Sequence, residues 1–211
     1  MLPHSRGSDS ATVSASAVVL AAGKGDRLGG AKALLRIGPV TLLEHVLRRL
    51  VAAGFSPVVA VVNADVFSKL EATFRVPESA RLVINPEGEK GPLHSLHLGL
   101  DKLGDAADGV LVAPVDHPFV SDKTLRMMRL GARRDRILIP TYQGRRGHPP
   151  LFGSDLLPIL RRIPLEEGAR GAYRQVPDSI REIETEDAGV LLNANTHEDW
   201  QRGLDLLRLK S

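Results

Sequence analysis

The chain of 211 residues contains no cysteine. That absence excludes disulfides, thiolate zinc sites, iron–sulfur clusters and a cysteine nucleophile, and it fits a cytoplasmic location. No apolar run approaches the roughly 20 residues needed to cross a bilayer, so a membrane span is excluded. A large excess of one charge is missing too. Lys plus Arg number 28 against 25 Asp plus Glu, a surplus of +3, so the pI of about 9.4 reflects a shallow balance and not a basic stripe for nucleic acid. Internal repeats are absent, and low complexity is confined to the Ser- and Ala-rich opening.

What is present is an ordinary globular composition, 43% hydrophobic and 25% charged, at a length that favours one α/β domain over two. Residues 1–16, which lack the apolar block of a secretory signal, read as a disordered N-terminal extension, and 17–211 as the folded domain. From Ala17 onward, apolar runs bounded by turn residues alternate with segments of helical period, the pattern of β–α units feeding a mostly parallel sheet. Strands are predicted over Ala17 to Ala22, Pro57 to Val62, Arg81 to Ile84, Gly109 to Ala113 and Arg136 to Pro140, with Ile180 to Ile183 at an edge. Gly109 to Ala113 is apolar throughout and therefore central. Helices are predicted from Leu42 to a stop at Gly54, from Leu93 to a stop at Gly104, and from a Ser121 cap through Leu130. Further helices are expected over Leu156 to Arg162, over Ala169 to Val176, and from Thr196, where Trp200, Leu204 and Leu207 share a face.

The loop after the first strand, from Leu20 to Lys32, combines four glycines with three cations. Glycines let the main chain approach a ligand so that N–H groups face an anion, and Arg27 and Lys32 add charge. This is a phosphate-holding composition, yet it is not a P-loop, because Lys32 is followed by Ala33 and not by a hydroxyl residue. Nor is it the dinucleotide fingerprint, whose carboxylate belongs about 20 residues past the glycines. The second strand ends instead near Asn63 and Asp65. Asp116 closes the apolar run from Val110, where open α/β sheets bind ligands, and is the strongest metal-ligand candidate; a turn-capping aspartate is the plainer alternative. His94 and His97 lie one turn apart but lack a third ligand, and they read as helix residues beside a pocket.

The sequence Leu-Ala-Ala-Gly-x-Gly-x-Arg-x-Gly-x-x-Lys over residues 20–32 resembles the signature loop of the molybdopterin-type nucleotidyltransferases, the guanylyl- and cytidylyltransferases that cap molybdopterin. Four further stretches are similar to family segments and occur in the right order: Asn85-Pro86 with Gly91 and Ser95, Asp116-His117-Pro118, Arg145-Arg146-Gly147-His148-Pro149, and Asn193-Ala194-Asn195-Thr196. The resemblance runs from about Ala17 to Leu204. It implies a single-domain, three-layer Rossmann-like α/β fold of the nucleotide-diphospho-sugar-transferase type, with a mixed, mostly parallel sheet and helices on both faces. It implies transfer of a nucleotide from a nucleoside triphosphate to a phosphorylated acceptor such as molybdopterin, with Mg2+ as cofactor and partners in molybdoenzyme maturation.

In residues, the resemblance assigns catalysis to Arg27, Lys32 and Asp116, and the nucleotide to Leu20, Ala21, Ala22, Gly23, Gly25, Asn63, Asn85, Gly91 and Ser95. It assigns the acceptor to Arg146 and His148, and the metal to Asp116 with Asn193 or Asn195. The first loop and Arg-Gly-His-Pro lean to cytidylyl transfer, the Asn-x-Asn-Thr tail to guanylyl; CTP is favoured, GTP next. A phosphorylated acceptor is already anionic, so no general base is required. The alternatives are a sugar- or alcohol-phosphate nucleotidyltransferase and a non-catalytic nucleotide-binding relative. A glycosyltransferase would show an Asp-x-Asp pair, which Asp116-His117-Pro118 lacks.

Overall fold

The structure, a computed structural model, describes residues 13–23, 31–71, 74, 76–104 and 108–208. Its elements run in chain order β1 (Ala15–Ala21), β2 (Arg36–Ile37), β3 (Val40–Thr41), α1 (Leu42–Ala52), β4 (Val58–Val62), α2 (Ala64–Glu71), β5 (Ala80–Ile84), α3 (Pro92–Leu103) and β6 (Gly109–Pro114). They continue with α4 (Asp122–Leu130), β7 (Ile137–Tyr142), β8 (Arg145–Arg146), β9 (Leu151–Gly153), α5 (Leu157–Leu160), α6 (Gly171–Gln175), β10 (Ile180–Glu184) and α7 (His197–Arg208).

An eight-stranded sheet has the order β10-β7-β9-β6-β1-β4-β5, with β8 beside β7. β5, β4, β1 and β6 are parallel to one another, β9 is antiparallel to both of its neighbours, and β10 is parallel to β7. The result is the mixed, mostly parallel sheet expected from sequence, with β6 central. Pleating sends Ala17, Val19 and Ala21 of β1 to one face and Val18 to the other. The first face packs on Leu43 and Leu47 of α1, Val66 and Leu70 of α2 and Met128 of α4. The second packs on Leu93, Leu96 and Leu100 of α3, Leu160 of α5 and Ala172 of α6, which completes three layers. On α3, a Cβ at Gly99 would lie 2.5 Å from Val18, so only glycine lets this helix lie so close to β1.

Local signals explain most boundaries. The Thr41 hydroxyl accepts from Glu44 N and the Ser121 hydroxyl from Thr124 N, capping α1 and α4. Gly54 and Gly104 follow their helices at φ +89° and +73°. Several expectations are corrected. β1 starts at Ala15, two residues inside the segment read as extension, because Ala15 and Ser16 are buried and pair with Gly109 and Val110 of β6. The helix expected over Leu156 to Arg162 is a tight turn over Ser154–Leu156 followed by the four-residue α5, with Pro158 in its first turn. Three-residue β9, the β2–β3 pair and α2 were not anticipated. No described helix is long and apolar enough to cross a membrane.

Candidate active site

The strand order reverses at β1 and β6: β4 and β5 continue outward from β1, and the chain then returns to β6 on its other side. Ligands in open α/β sheets bind outside the carboxyl ends of the strands at such a switch point. Leu20 lies opposite Pro114, and Val115 N donates to Leu20 O at 3.0 Å, so the segments leaving both strands start side by side. Lys32, at the close of the first loop, reaches across this junction. Its Nζ lies 3.2 Å from Asp116 Oδ2 and also donates to Asn195 Oδ1. The tail is tied to the same point, since Ala194 N donates to Asp116 O at 2.7 Å. Three segments distant in sequence therefore meet on one ammonium group.

Around this junction lies a cleft of about 870 Å3. From the β1 and α3 side it is lined by Leu20, Ala22, Gly23, Gly91 and Ser95; from the β7 and α6 side by Arg146, His148, Arg170 and Tyr173; and at the end of β6 by Asp116 and His117, with Lys32 and Asn195. Nine of the expected site residues thus share one cavity with Asp116: Leu20, Ala22, Gly23, Lys32, Gly91, Ser95, Arg146, His148 and Asn195. Gly25 and Arg27 lie outside the described residues. Ala21 points into the core and Asn193 does not line the cleft, so Asn195 is the tail residue brought to Asp116.

Asn63 and Asn85 line an adjoining cavity of about 460 Å3 that shares Ala22 and Gly88 with the cleft. Both amides bond to their own surroundings. Asn63 Oδ1 accepts from Val66 N at 2.8 Å, capping α2, and its Nδ2 donates to Ala22 O at 3.2 Å, pinning the start of the first loop. Asn85 is buried; its Nδ2 donates to Ser95 Oγ at 2.9 Å and its Oδ1 accepts from Glu87 N at 2.8 Å, which fixes the turn that carries Gly88 and Gly91. His97 bonds to Leu160 O and His94 lies 3.6 Å from Glu87, so this pair is structural, as expected. Among the described residues no group of three or more His, Cys, Asp or Glu is placed to hold a metal. The donors available at the junction are the Asp116 carboxylate and the Asn195 amide oxygen, hard oxygen ligands that suit Mg2+ or Mn2+ completed by water and phosphate oxygens.

Two imidazoles close the cleft beside Asp116. His117 and His148 approach with ring centroids 4.3 Å apart, and the Nδ1 of each is buried without a hydrogen-bond partner. Burial lowers both basicities, against the opposing pull of the Asp116 charge. His148 falls to about 4, with His117 and Arg170 adding to the effect of burial. His45 on α1 also falls to about 4, through burial and the nearby Arg49. These rings are neutral at neutral pH. For His45 and His148 the unfolded chain takes up protons near 6.5 while the folded chain resists until about 4, so stability is lost as pH falls through that window. The melting temperature is expected to drop between pH 6.5 and 5, where carboxylates hardly titrate, and His148→Gln to flatten part of that slope. A melting temperature constant over that range, or a slope unchanged in the variant, would refute the assignment.

Reading the sequence missed His117, Arg170 just before α6 and Tyr173 of α6 as cleft residues; the stretch Ala169 to Val176 carried only a helical signal.

A switch-point cleft with a glycine- and cation-rich loop on one strand and oxygen donors on the next defines a nucleotidyltransferase of the nucleotide-diphospho-sugar-transferase fold. The chain belongs to the family described as the MobA-like NTP transferase domain, whose model matches residues 17–180. It is 30% identical over 199 residues to the molybdenum cofactor guanylyltransferase of Haemophilus influenzae, covering 90% of this chain and 98% of that protein. Among solved structures, a nucleotidyl transferase from Methanothermobacter thermautotroptrophicus superposes with a TM-score of 0.76 at 26% identity, over 93% of this chain and 99% of the other. Rv0371C of Mycobacterium tuberculosis H37Rv, in complex with manganese, gives a TM-score of 0.73 at 25% identity, over 91% and 98%.

Proposed function

We propose that this nucleotidyltransferase transfers NMP from CTP or GTP to a phosphorylated acceptor such as molybdopterin, with Mg2+, and releases pyrophosphate. The observation that carries the reading is the contact of Lys32 with both Asp116 and Asn195 inside the cleft at the switch point. Main-chain groups from Leu20 to Gly23, with Gly91 and Ser95, face the base and ribose. Asn63 and Asn85 hold that backbone in place. Arg27 and Lys32 hold the departing pyrophosphate. Asp116 and Asn195 would hold the divalent ion, which when bound neutralises charge at the α-phosphate.

In the transfer, an acceptor phosphate oxygen forms a bond to the α-phosphorus, the bond from that phosphorus to the bridging oxygen of the β-phosphate breaks, and the electron pair leaves with pyrophosphate. The acceptor oxygen is already anionic, so the residues align it and neutralise charge and none abstracts a proton. The neutral His117 and His148 suit such a site. The Asn-x-Asn tail and the name of the Haemophilus relative support GTP as donor, the first loop and Arg-Gly-His-Pro support CTP.

A melting-temperature screen of the four nucleoside triphosphates with Mg2+ tests the reading. One of CTP or GTP is expected to raise the transition by several degrees at saturation, since a ligand bound only to the folded state stabilises it by mass action. No shift with any triphosphate, together with no pyrophosphate release in the presence of molybdopterin, overturns it. Lys32→Ala is expected to lower turnover about 100-fold or more while costing under about 1 kcal/mol of stability, because the ion pair it breaks is partly solvated. Equal losses of stability and turnover would assign Lys32 to the fold instead.

A further inference from the structure

Arg48 and Arg49 adjoin on α1 and meet different surroundings. Arg48 is 59% exposed and pairs with Glu44, one turn back on its own helix. Arg49 is 16% exposed and reaches away from its helix to the segment that follows Asp116. There its guanidinium donates from all three nitrogens: Nε to Asp122 Oδ1 at 2.7 Å, one terminal nitrogen to Pro118 O at 2.9 Å, and the other to Val120 O. One side chain thus grips three points of the link between Asp116 and α4.

That link, residues 117–121, has no helix or strand of its own. It stands off α1 across a cavity of about 20 Å3 lined by Val46, Leu50, Pro118 and Val120 among others, so side-chain packing alone does not fix it. Directional bonds must do so. A planar guanidinium suits the task because it holds several acceptors in set directions at once. Its base is firm, since α1 is capped by Thr41 and buries Leu43, Val46, Leu47 and Leu50 against the sheet. The main chain at Asp116 itself is held from the other sides, by Ala194 N on Asp116 O at 2.7 Å and by His117 N on Pro114 O at 3.1 Å. Arg49 does not line the cleft and acts from behind it.

We propose that Arg49 is a positioning residue for the transfer: from α1 it fixes the link 117–121, and with it the direction in which the Asp116 carboxylate is offered to the divalent ion. The proposal rests on the reading in which Asp116 holds that ion. Charge and geometry predict opposite signs here. A cation near a metal site repels the ion, so if the charge of Arg49 were what mattered, removing it would strengthen metal binding. Loss of positioning weakens it.

The test uses the full chain, well below the melting temperature of each variant, with Mn2+ alone as the probe followed by water-proton relaxation, and amide hydrogen exchange read in parallel. In Arg49→Gln the amides of His117 and Ala194 are expected to exchange about tenfold faster or more while those of Val110 and Val112 in β6 are unchanged. Mn2+ is expected to bind about tenfold more weakly, the loss that goes with freeing the support of a metal ligand. Arg49→Lys keeps the charge without the fork and is expected to lose nearly as much; Arg48→Gln is expected to change neither readout. In turnover, Arg49→Gln is expected to raise the Mg2+ concentration for half-maximal rate and to change the KM of the triphosphate by less than about twofold, because the first loop and α3 are untouched.

Mn2+ bound by Arg49→Gln as tightly as by wild type, or more tightly, overturns the proposal. So does full recovery in Arg49→Lys, which would make charge the role, or unchanged exchange at His117. A wild type that binds no Mn2+, or binds it no better than Asp116→Asn does, overturns the proposal through the reading beneath it. Faster exchange in Arg49→Gln then tells that failure from a failure of the brace itself.

Discussion

Asp116→Asn is expected to reduce turnover by about 100-fold or more at a fixed Mg2+ concentration while leaving the fold nearly as stable as before. The substitution keeps the shape and one oxygen, and it removes the single formal negative charge from the proposed ligand pair. Two amide oxygens, from positions 116 and 195, cannot offset the cost of partly dehydrating a divalent ion as a carboxylate can. Lys32 would keep amide acceptors on both sides, so its ammonium is not stranded. The pair it loses is 18% and 29% exposed on its two side chains, and a partly solvated ion pair contributes about 1 kcal/mol or less. For a domain of this size that is a change of roughly 2 to 4 °C in melting temperature. The Mg2+ concentration giving half-maximal turnover should rise, and excess Mg2+ should recover part of the rate. A variant that melts as wild type and turns over at the wild-type rate would remove Asp116 from the reaction.

The parts of this molecule legible in sequence are those where one segment decides its own state. β1, β4 and β6 are buried on both faces and read as continuous apolar runs; α1 and α4 carry their Thr41 and Ser121 caps, and Gly54 and Gly104 their stops. Lys32 and Asp116 were readable for the same reason, one closing a glycine-rich loop and the other ending an apolar strand. β9 was not, because three residues after Pro150 have no strand signal of their own and become a strand only by bonding to β6 on one side and β7 on the other. That Asn63 caps α2 was not legible, because a residue at the end of a strand and one capping the next helix look alike until Val66 N is found on its oxygen. The choice between Asn193 and Asn195 needed the contact with Lys32.

Gly189→Ala is expected to destabilise the protein by about 3 kcal/mol or more, enough to lower its melting temperature by roughly 10 °C, and to take turnover with it. Gly189 needs its lack of a side chain for space and not for backbone conformation. A Cβ there would lie 2.1 Å from Phe119 O, 2.7 Å from Phe119 C and 2.9 Å from Asp187 Oδ1. Two of these three atoms are main chain, so no rotamer relieves the overlap, and the segment 188–191 must draw away from the loop that follows Asp116. That separation pulls on Asp187, a buried carboxylate whose Oδ1 accepts from Gly189 N and whose Oδ2 accepts from Ser121 N at 2.6 Å and Thr124 Oγ1 at 2.9 Å. Weakening the hydrogen bonds of a buried charge adds about 1 to 3 kcal/mol to the steric cost. The same shift reaches the cleft, since Val190 O accepts from His148 N and the tail beyond it is bonded to Asp116 O. Denaturant melts and turnover measured on the same preparation check both halves. A loss under 1 kcal/mol would mean that the two loops part without cost, and the close packing that holds Asn195 against Asp116 would then have no energetic basis.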